Sequence, residues 1–476
     1  MTSFIIHGEL GPPRACDRCH AVKARCQWLD DKSECERCIR LQFPCESTRP
    51  KGKPGRRRGE GWGSRRSRDL PTHQDRLHCA RLQAQTRRGT VIPRCIQEFD
   101  SVPSVDRQIL QLVQRILFQS EMLDLFSVSD KFTEPVRRQV IPQLLLSKST
   151  LLDGLLACAI SWAGDVDDSG NFRRLTACYR HASSAIATLM TLEATSPETM
   201  MEALMLGALV SSFAVKLRVN DVLAICSRTL ALIKPIYNTS DPKEPEPLVF
   251  MSCMVMWEVR GCLFSCGLPT LRFRAPEKSY VDRHVGLCAS VIPCFYDVCK
   301  LSHALSKGPV DTTDIYTELE AIEEYVRAWQ PEPPEDFTER FDTVEVTHML
   351  CQVQVMRQAL LLIAHRLRFP FGVNDGPAQM LSMSILSQLE TTLAATRSIV
   401  RCVDLALLVA CLELRGTERQ KWLRDVTKFT GFSPQFGEHV RQTLESFWAG
   451  MDSFGILSWG ELVKLGSPFL RNQHLI

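Results

Sequence analysis

No uninterrupted apolar run in this 476-residue sequence reaches the roughly 18 residues that a membrane-spanning helix needs; charge-free stretches such as Ala203–Val215 stop short. A membrane-embedded protein is therefore not expected. The opening residues, MTSFIIHGELGPPRAC, lack a basic n-region followed by a continuous apolar h-region, so secretion is not expected either. Also missing are HExxH, GxSxG and a P-loop, and the 11 histidines are dispersed. His181, His348 and His365 fall within helical patterns, where an ordinary half-buried histidine is the expected state. With no nucleophile-and-base pair to be found, no enzyme is expected. Two imitations of functional loops fail on context. GEGWG at 59–63 contains a G-x-G, but it follows arginines rather than a strand. DVDDSG at 165–170 begins like a calcium loop, but Thr176 stands where the bidentate glutamate belongs.

Net charge is also nearly absent, at +3, yet this balance conceals a division. Residues 1–94 hold 21 Lys and Arg against 10 Asp and Glu, leaving 36 of the 57 basic and 44 of the 54 acidic residues for positions 95–476. A basic arm suited to a polyanion thus precedes an acidic body. Cysteine is plentiful, with 20 in all. Fourteen are scattered through helical patterns, Cys158, Cys226, Cys253, Cys262 and Cys411 among them, without the regular framework of a disulfide scaffold. These are expected to be buried thiols in a reducing compartment.

The other six form C-x2-C-x6-C-x8-C-x2-C-x6-C from Cys16 to Cys45, one pattern stated twice. A structural zinc takes four ligands in a tetrahedron, with sulfur at roughly 2.3 Å. Six thiolates saturate one zinc with two to spare, or two zincs if two sulfurs bridge, since two tetrahedra need eight bonds. The duplicated half-motif favours the bridged pair; a disulfide knot and two unrelated metal sites are the alternatives. Two Zn²⁺ with six thiolates retain a net negative charge that would repel a phosphate backbone. Arg14, Arg18, Lys23, Arg25, Arg37 and Arg40 reverse that sign. The halves differ in their interiors: CDRCHAVKARC carries His20, Lys23 and Arg25, whereas CERCIRLQFPC carries Ile39, Leu41, Phe43 and Pro44. Both halves need thiolates to fold, and only one can face a groove. The first is expected to read DNA through Arg14, Arg18, His20, Lys23 and Arg25, with Leu41 and Phe43 of the second covering the cluster.

The stretch ACDRCHAVKARC...CERC...FPC resembles the fungal binuclear zinc cluster, the six-cysteine DNA-binding domain of fungal transcription regulators, over residues 15–46. That resemblance implies two zinc ions per chain, bridged by Cys16 and Cys35. Cys19 and Cys26 would complete one site, and Cys38 and Cys45 the other. It implies further that Lys23, in a first short helix, reads a CGG triplet in the major groove. The segment between Cys26 and Cys35 has no proline where the family usually has one, and Val22 stands where many members have a second basic residue.

Residues 47–95 contain RPKGKPGRRRGEGWGSRRSR and are expected to be a linker, disordered when free. Arg56, Arg57, Arg58, Arg65, Arg66 and Arg68 suit nuclear import, phosphate contacts, or both. Between Val105 and Phe126 the apolar spacing allows a short coiled coil, but its wide face favours a first core helix. Helical periodicity then dominates, as in Leu151–Trp162, Phe172–Leu192, Met200–Leu217, Val344–Arg368 and Met380–Thr396, with Pro-rich surface breaks at Lys234–Pro247 and Trp329–Phe337. The expected fold class is a small metal-stabilised zinc cluster of two short helices, followed by a large all-α domain. Residues 1–14 would be a tail, 15–46 the cluster, 47–95 the linker, and 96–476 the body, which resembles more diffusely the fungal-specific regulatory domain. The expected function is a nuclear, sequence-specific transcription factor at RNA polymerase II promoters of metabolic or secondary-metabolite genes. It would bind double-stranded DNA with CGG-like half-sites as a homodimer and contact the transcription machinery or co-regulators, with no membrane partner. The alternative is an α-helical interaction protein whose zinc module does not read DNA.

Overall fold

Apolar residues recurring every three or four positions fold most of the described chain beyond the basic arm into helices. The computed structural model describes residues 15–17, 19, 26–27, 35–41 and 45, then 126–133, 135, 147–162, 171–217, 219–239, 250–275, 279–308, 312–431 and 434–466. The chain divides into two units, Met1–Arg94 and Cys95–Ile476. The first contains α1 (Glu36–Arg40). The second contains α2 (Lys148–Trp162), α3 (Asn171–Thr191), α4 (Pro197–Leu217), α5 (Val222–Thr239), α6 (Met251–Leu263), α7 (Ile292–Ser306) and α8 (Thr313–Ala328). It continues with α9 (Phe337–Arg340), α10 (Thr343–Arg368), α11 (Asp375–Thr396), α12 (Asp404–Leu412), α13 (Thr417–Asp425), α14 (Pro434–Phe454) and α15 (Trp459–Gly466). Among the described residues there is no β-strand; Asp282 with Gly286 and Phe371 with Leu457 form isolated bridges.

In the second unit α2 packs on α3 and α4, α4 on α5, and α5 on α6, and α7 joins α6 to α10. The 26-residue α10 also touches α8, α11 and α12. Its start is fixed by a capping box, in which the Glu345 N–H donates to Asp342 (2.9 Å) and the Asp342 N–H to Glu345 (3.0 Å). His365, Arg366 and Arg368 lie in its last turn, where positive charge suits the helix dipole. Met349, Val353, Met356, Leu360 and Ile363 are buried along its inner side, each worth about 1.5–3 kcal/mol of apolar burial.

By length and composition α4 could cross a membrane, but 67% of its apolar window is buried inside the unit, which makes it a core helix. Pro197 opens it, and Ser196 and Thr199 exchange backbone-to-hydroxyl bonds of 2.9 and 3.3 Å across its first turn. Gly207 lets α5 approach: a Cβ there would fall 2.3 Å from Thr229 Oγ1.

Two proline-based expectations need correction. The break expected from Lys234 starts late, because α5 runs through Pro235 to Thr239. Burial of Ile233 and Tyr237 carries the helix past the missing N–H, and Thr239 Oγ1 donates back to the Pro235 carbonyl (3.2 Å). The Trp329–Phe337 loop is not wholly at the surface. Trp329 is buried with its indole N–H on Ser290 Oγ (3.0 Å), and Phe337 is buried beside Phe341 with ring centroids 5.5 Å apart. The helix or coiled coil expected at 105–126, the linker and the calcium-like loop fall outside the described residues, except Phe126. Twelve cysteines of this unit are described; all are free and ten are buried. Burial pushes thiols such as Cys158 and Cys226 up to about 12.

Candidate metal centre

Among the described residues of the first unit, sulfur stands where a larger domain has hydrocarbon. Cys16, Cys19, Cys35 and Cys38 are at most 1% exposed, and Cys26 and Cys45 pack against them. Locally, C-x2-C puts two sulfurs on one side of a helical turn. Cys35 is the N-cap of α1 in extended conformation (φ −77°, ψ 150°), and Cys38 is the buried residue of that helix.

Cys16 Sγ lies 3.8 Å from Cys35 Sγ and 3.7 Å from Cys38 Sγ, and Cys19 Sγ lies 3.7 Å from Cys35 Sγ. Four sulfurs bound tetrahedrally at about 2.3 Å stand about 3.8 Å from one another, whereas a disulfide needs about 2.05 Å. The spacing therefore fits zinc thiolates and excludes a disulfide knot, and all six are free cysteines. Two tetrads lie with sulfurs within 4.8 Å of each other: Cys16, Cys19, Cys26 and Cys35, and Cys16, Cys35, Cys38 and Cys45. Cys16 and Cys35 belong to both. The backbone repeats the duplication: the Cys16 N–H donates to Cys26 Sγ (3.3 Å) and the Cys35 N–H to Cys45 Sγ (3.2 Å), each ten residues ahead.

Burial raises each of these thiols, but at Cys35 the Cys38 N–H and neighbouring thiols outweigh it and bring the group down to about 6. At Cys16 burial is likewise outweighed by hydrogen bonds from Cys19 and Cys38, and the net direction is down. Burial leads elsewhere, taking Cys26 up to about 12 and raising Cys19, Cys38 and Cys45. The two sulfurs common to both tetrads are thus the readiest thiolates. An all-sulfur tetrahedral set suits zinc, and a tetrad filled by protein leaves no open position for catalysis.

One expectation about the second half fails. Leu41 is 43% exposed and does not cover the sulfurs, because α1 ends at Arg40 and Leu41 turns outward as its C-cap (φ −96°, ψ 4°). Phe43 lies outside the described residues, as do Arg14, Arg18, His20, Lys23 and Arg25, and Arg56, Arg57, Arg58, Arg65, Arg66 and Arg68.

In the body the three helical histidines serve separate structural contacts. His181 Nδ1 lies 2.6 Å from Asp153, His348 Nε2 lies 2.9 Å from Thr396 Oγ1, and His365 Nε2 lies 3.0 Å from the Asn374 carbonyl. What sequence reasoning missed is a buried charge cluster. Arg366, 1% exposed, donates through Nε to Glu413 (2.7 Å) and through Nη2 to Asp375 (2.8 Å), and Asp375 also pairs with Arg415. These partners lie 9 and 47 residues away, beyond any local pattern. A cleft of about 480 Å³ beside the cluster is lined in part by Gly372, Arg415, Gly416 and Arg419; Arg419 is held by Asp452 at 2.7 Å.

Comparison with known families matches residues 14–54 to the fungal Zn(2)-Cys(6) binuclear cluster domain and residues 116–470 to the fungal specific transcription factor domain. No curated protein and no solved structure matches the chain. The binuclear cluster binds two zinc ions, and the six clustered cysteines are its donor set. With the second match spanning more than half of the sequence, the chain belongs to the family of fungal Zn(2)-Cys(6) transcription factors with a fungal specific transcription factor domain, and its role is DNA-binding transcriptional regulation in the nucleus rather than catalysis.

Proposed function

We propose that the chain reads CGG-like triplets at RNA polymerase II promoters, as a homodimer on paired half-sites, and regulates metabolic or secondary-metabolite genes through co-regulators recruited by the helical body. Cys16, Cys19, Cys26 and Cys35 hold one zinc, and Cys16, Cys35, Cys38 and Cys45 the other. The ions supply folding free energy to a cluster whose described buried residues are cysteines. Lys23 contacts base edges, with Arg14, Arg18, His20 and Arg25 around it, and the arginines at 56–58 and 65–68 contact phosphates and direct nuclear import.

One observation carries this reading: two sulfur tetrads with tetrahedral spacing share Cys16 and Cys35. The charge split supports it, because a basic arm draws the cluster to DNA while an acidic body is repelled from it. Selection of bound sequences from a random duplex pool by the full chain tests it. The expected winners contain CGG-like triplets; a pool that stays unenriched, or retention that does not weaken with salt, overturns it.

A further inference from the structure

Arg366 is buried at a place where an apolar side chain would pack without the cost of desolvating a charge. Its contacts hold two turns in one geometry: it donates to the Pro370 and Val373 carbonyls between α10 and α11, and to Glu413 between α12 and α13. These two turns and the end of α14 enclose the cleft of about 480 Å³. Among the described residues five glycines have a left-handed φ, and three of them, Gly372, Gly416 and Gly455, line this cleft, one from each segment. At Gly416 and Gly455 a Cβ would meet nothing within 4 Å. Room is thus not what requires glycine there; the backbone shape that leaves the cleft open is.

The polar groups in and beneath the cleft are unevenly satisfied. Each carboxylate is taken: Glu413 by Arg366, Asp375 by Arg366, Arg415 and the Gly372 N–H (3.0 Å), and Asp452 by Arg419 through both oxygens (2.7 and 2.8 Å). The two arginines of the lining keep donors to spare. Arg419 commits Nε to the Leu414 carbonyl (2.7 Å) and Nη1 to Asp452, and Arg415 commits Nη2 to Asp375. Arg419 Nη2 and Arg415 Nε and Nη1 have no acceptor among the described residues. Beside these donors the walls are apolar: Leu412 and Leu414 are buried, Met451 is half-buried, and Ile456 is 64% exposed.

We infer that this cleft binds a small amphipathic organic acid, with its carboxylate on Arg415 and Arg419 and its apolar body against Leu412, Leu414, Met451 and Ile456. Clefts that take small molecules measure about 300–1,000 Å³ and combine apolar walls with a few convergent polar groups. A carboxylate accepts hydrogen bonds and gives none, which suits a site whose acceptors are filled and whose donors are in surplus. The guanidinium fork matches its two oxygens. An ammonium would bring donors to carboxylates already taken. A phosphate offers acceptors too, but three arginines here already balance Asp375, Glu413 and Asp452, so its second negative charge meets those carboxylates without a cation to offset it. The site is also fixed before a ligand arrives: Arg366 lies 4.6 Å from the Phe371 ring beneath it, and Arg419 lies 5.3 Å from the Trp448 ring. Binding therefore has little ordering to impose on the protein.

The probe is 4-benzoylbenzoate, an aromatic acid that inserts into nearby C–H bonds when irradiated. With the full chain, peptide mass spectrometry is expected to place the label on Met451, Ile456 or the turn from Leu412 to Leu414. Excess 4-phenylbutyrate should protect these positions, and 4-phenylbutan-1-ol, the same skeleton without the charge, should protect at least ten-fold less well. Arg415→Gln should take up at least ten-fold less label. Arg272→Gln, at another exposed arginine paired with an aspartate, should label as the wild type does. If Arg415→Gln fails to fold, Ile456→Glu decides the matter: it sets a like charge at an exposed position of the lining and should likewise lose the label. Labelling elsewhere or not at all, equal protection by the alcohol, stronger protection by phenyl phosphate, or undiminished labelling of both cleft variants would overturn the inference. No DNA enters this measurement. A chain labelled in the cleft that selects no duplex loses the DNA reading and keeps the cleft, whereas a chain that selects CGG-like duplexes and takes no label loses the cleft alone.

Discussion

Cys16 Sγ stands 3.8 Å from Cys35 Sγ although 19 residues separate them in sequence. The same interval separates Cys19 from Cys38 and Cys26 from Cys45, so the cysteines of the two halves repeat in register along the sequence, and the first cysteine of each half lies in both tetrads. The sharing is what allows six thiolates to complete eight bonds.

Metal content should reveal the sharing. The purified full chain is expected to hold two zinc ions. Cys16→Ser or Cys35→Ser should lower the count to near zero, because either removes a ligand from both tetrads, whereas Cys26→Ser or Cys45→Ser should spare the opposite tetrad and leave closer to one. Elemental analysis beside protein quantitation checks this. Equal losses for all four variants would contradict the sharing.

Arg366 anchors the other buried charge arrangement. Besides Glu413 and Asp375 it donates to the carbonyls of Pro370 (3.1 Å) and Val373 (3.3 Å), and it lies 4.6 Å from the Phe371 ring. Arg366→Met should cost about 3–5 kcal/mol, because it strands the Glu413 carboxylate in the interior. Adding Glu413→Gln should recover a substantial part. Urea midpoints of the wild type, both single variants and the double variant give the coupling; additive effects would show that the pair is not coupled.

How far the sequence reveals all this depends on whether the physics is local. Periodicity locates α10 to within a residue, Val344–Arg368 against Thr343–Arg368, because the capping box and inner apolar residues agree. For α11 it finds the end at Thr396 but starts at Met380 instead of Asp375, because the first turn, DGPAQ, has no large apolar residue. Pro235 misleads for the opposite reason: buried neighbours on either side outweigh one missing N–H. Six cysteines at a repeated spacing point to two zincs because the count allows a bridged pair and the duplication favours it. The Arg366 cluster does not show in the string, since it depends on which residues the fold brings together.

Acid should weaken the body through His284. Its ring is buried, 5% exposed, with Nδ1 3.3 Å from the Phe126 carbonyl, and burial, reinforced by the Arg283 charge, holds it down at about 4 against 6.5. Below 6.5 the unfolded chain takes up a proton that the folded chain refuses, so stability falls as pH drops through 6.5 toward 4. Between pH 7 and 5 the loss from this group is about 2 kcal/mol. His284→Asn should show a correspondingly flatter decline in urea midpoint over that window. A parallel decline in wild type and variant would show that His284 does not carry the proton linkage.

Lys23 and the arginines of residues 56–58 should separate specificity from affinity. A lysine in the major groove can donate to guanine O6 and N7, a contact worth roughly 1–3 kcal/mol of discrimination. Lys23→Ala should therefore bring the affinities for CGG-containing and scrambled duplexes together, by about five- to 150-fold, while leaving much of the phosphate-driven binding in place. Neutralising Arg56, Arg57 and Arg58 should act differently, because phosphate contacts carry no sequence information. Binding to both duplexes should weaken alike, and the dependence on salt should become shallower by somewhat under one unit for each phosphate left without its arginine. Titrating wild type and both variants against matched and scrambled DNA at several salt concentrations resolves the two effects. If Lys23→Ala keeps the matched-to-scrambled ratio of the wild type, the first half of the cluster is not the half that reads the groove.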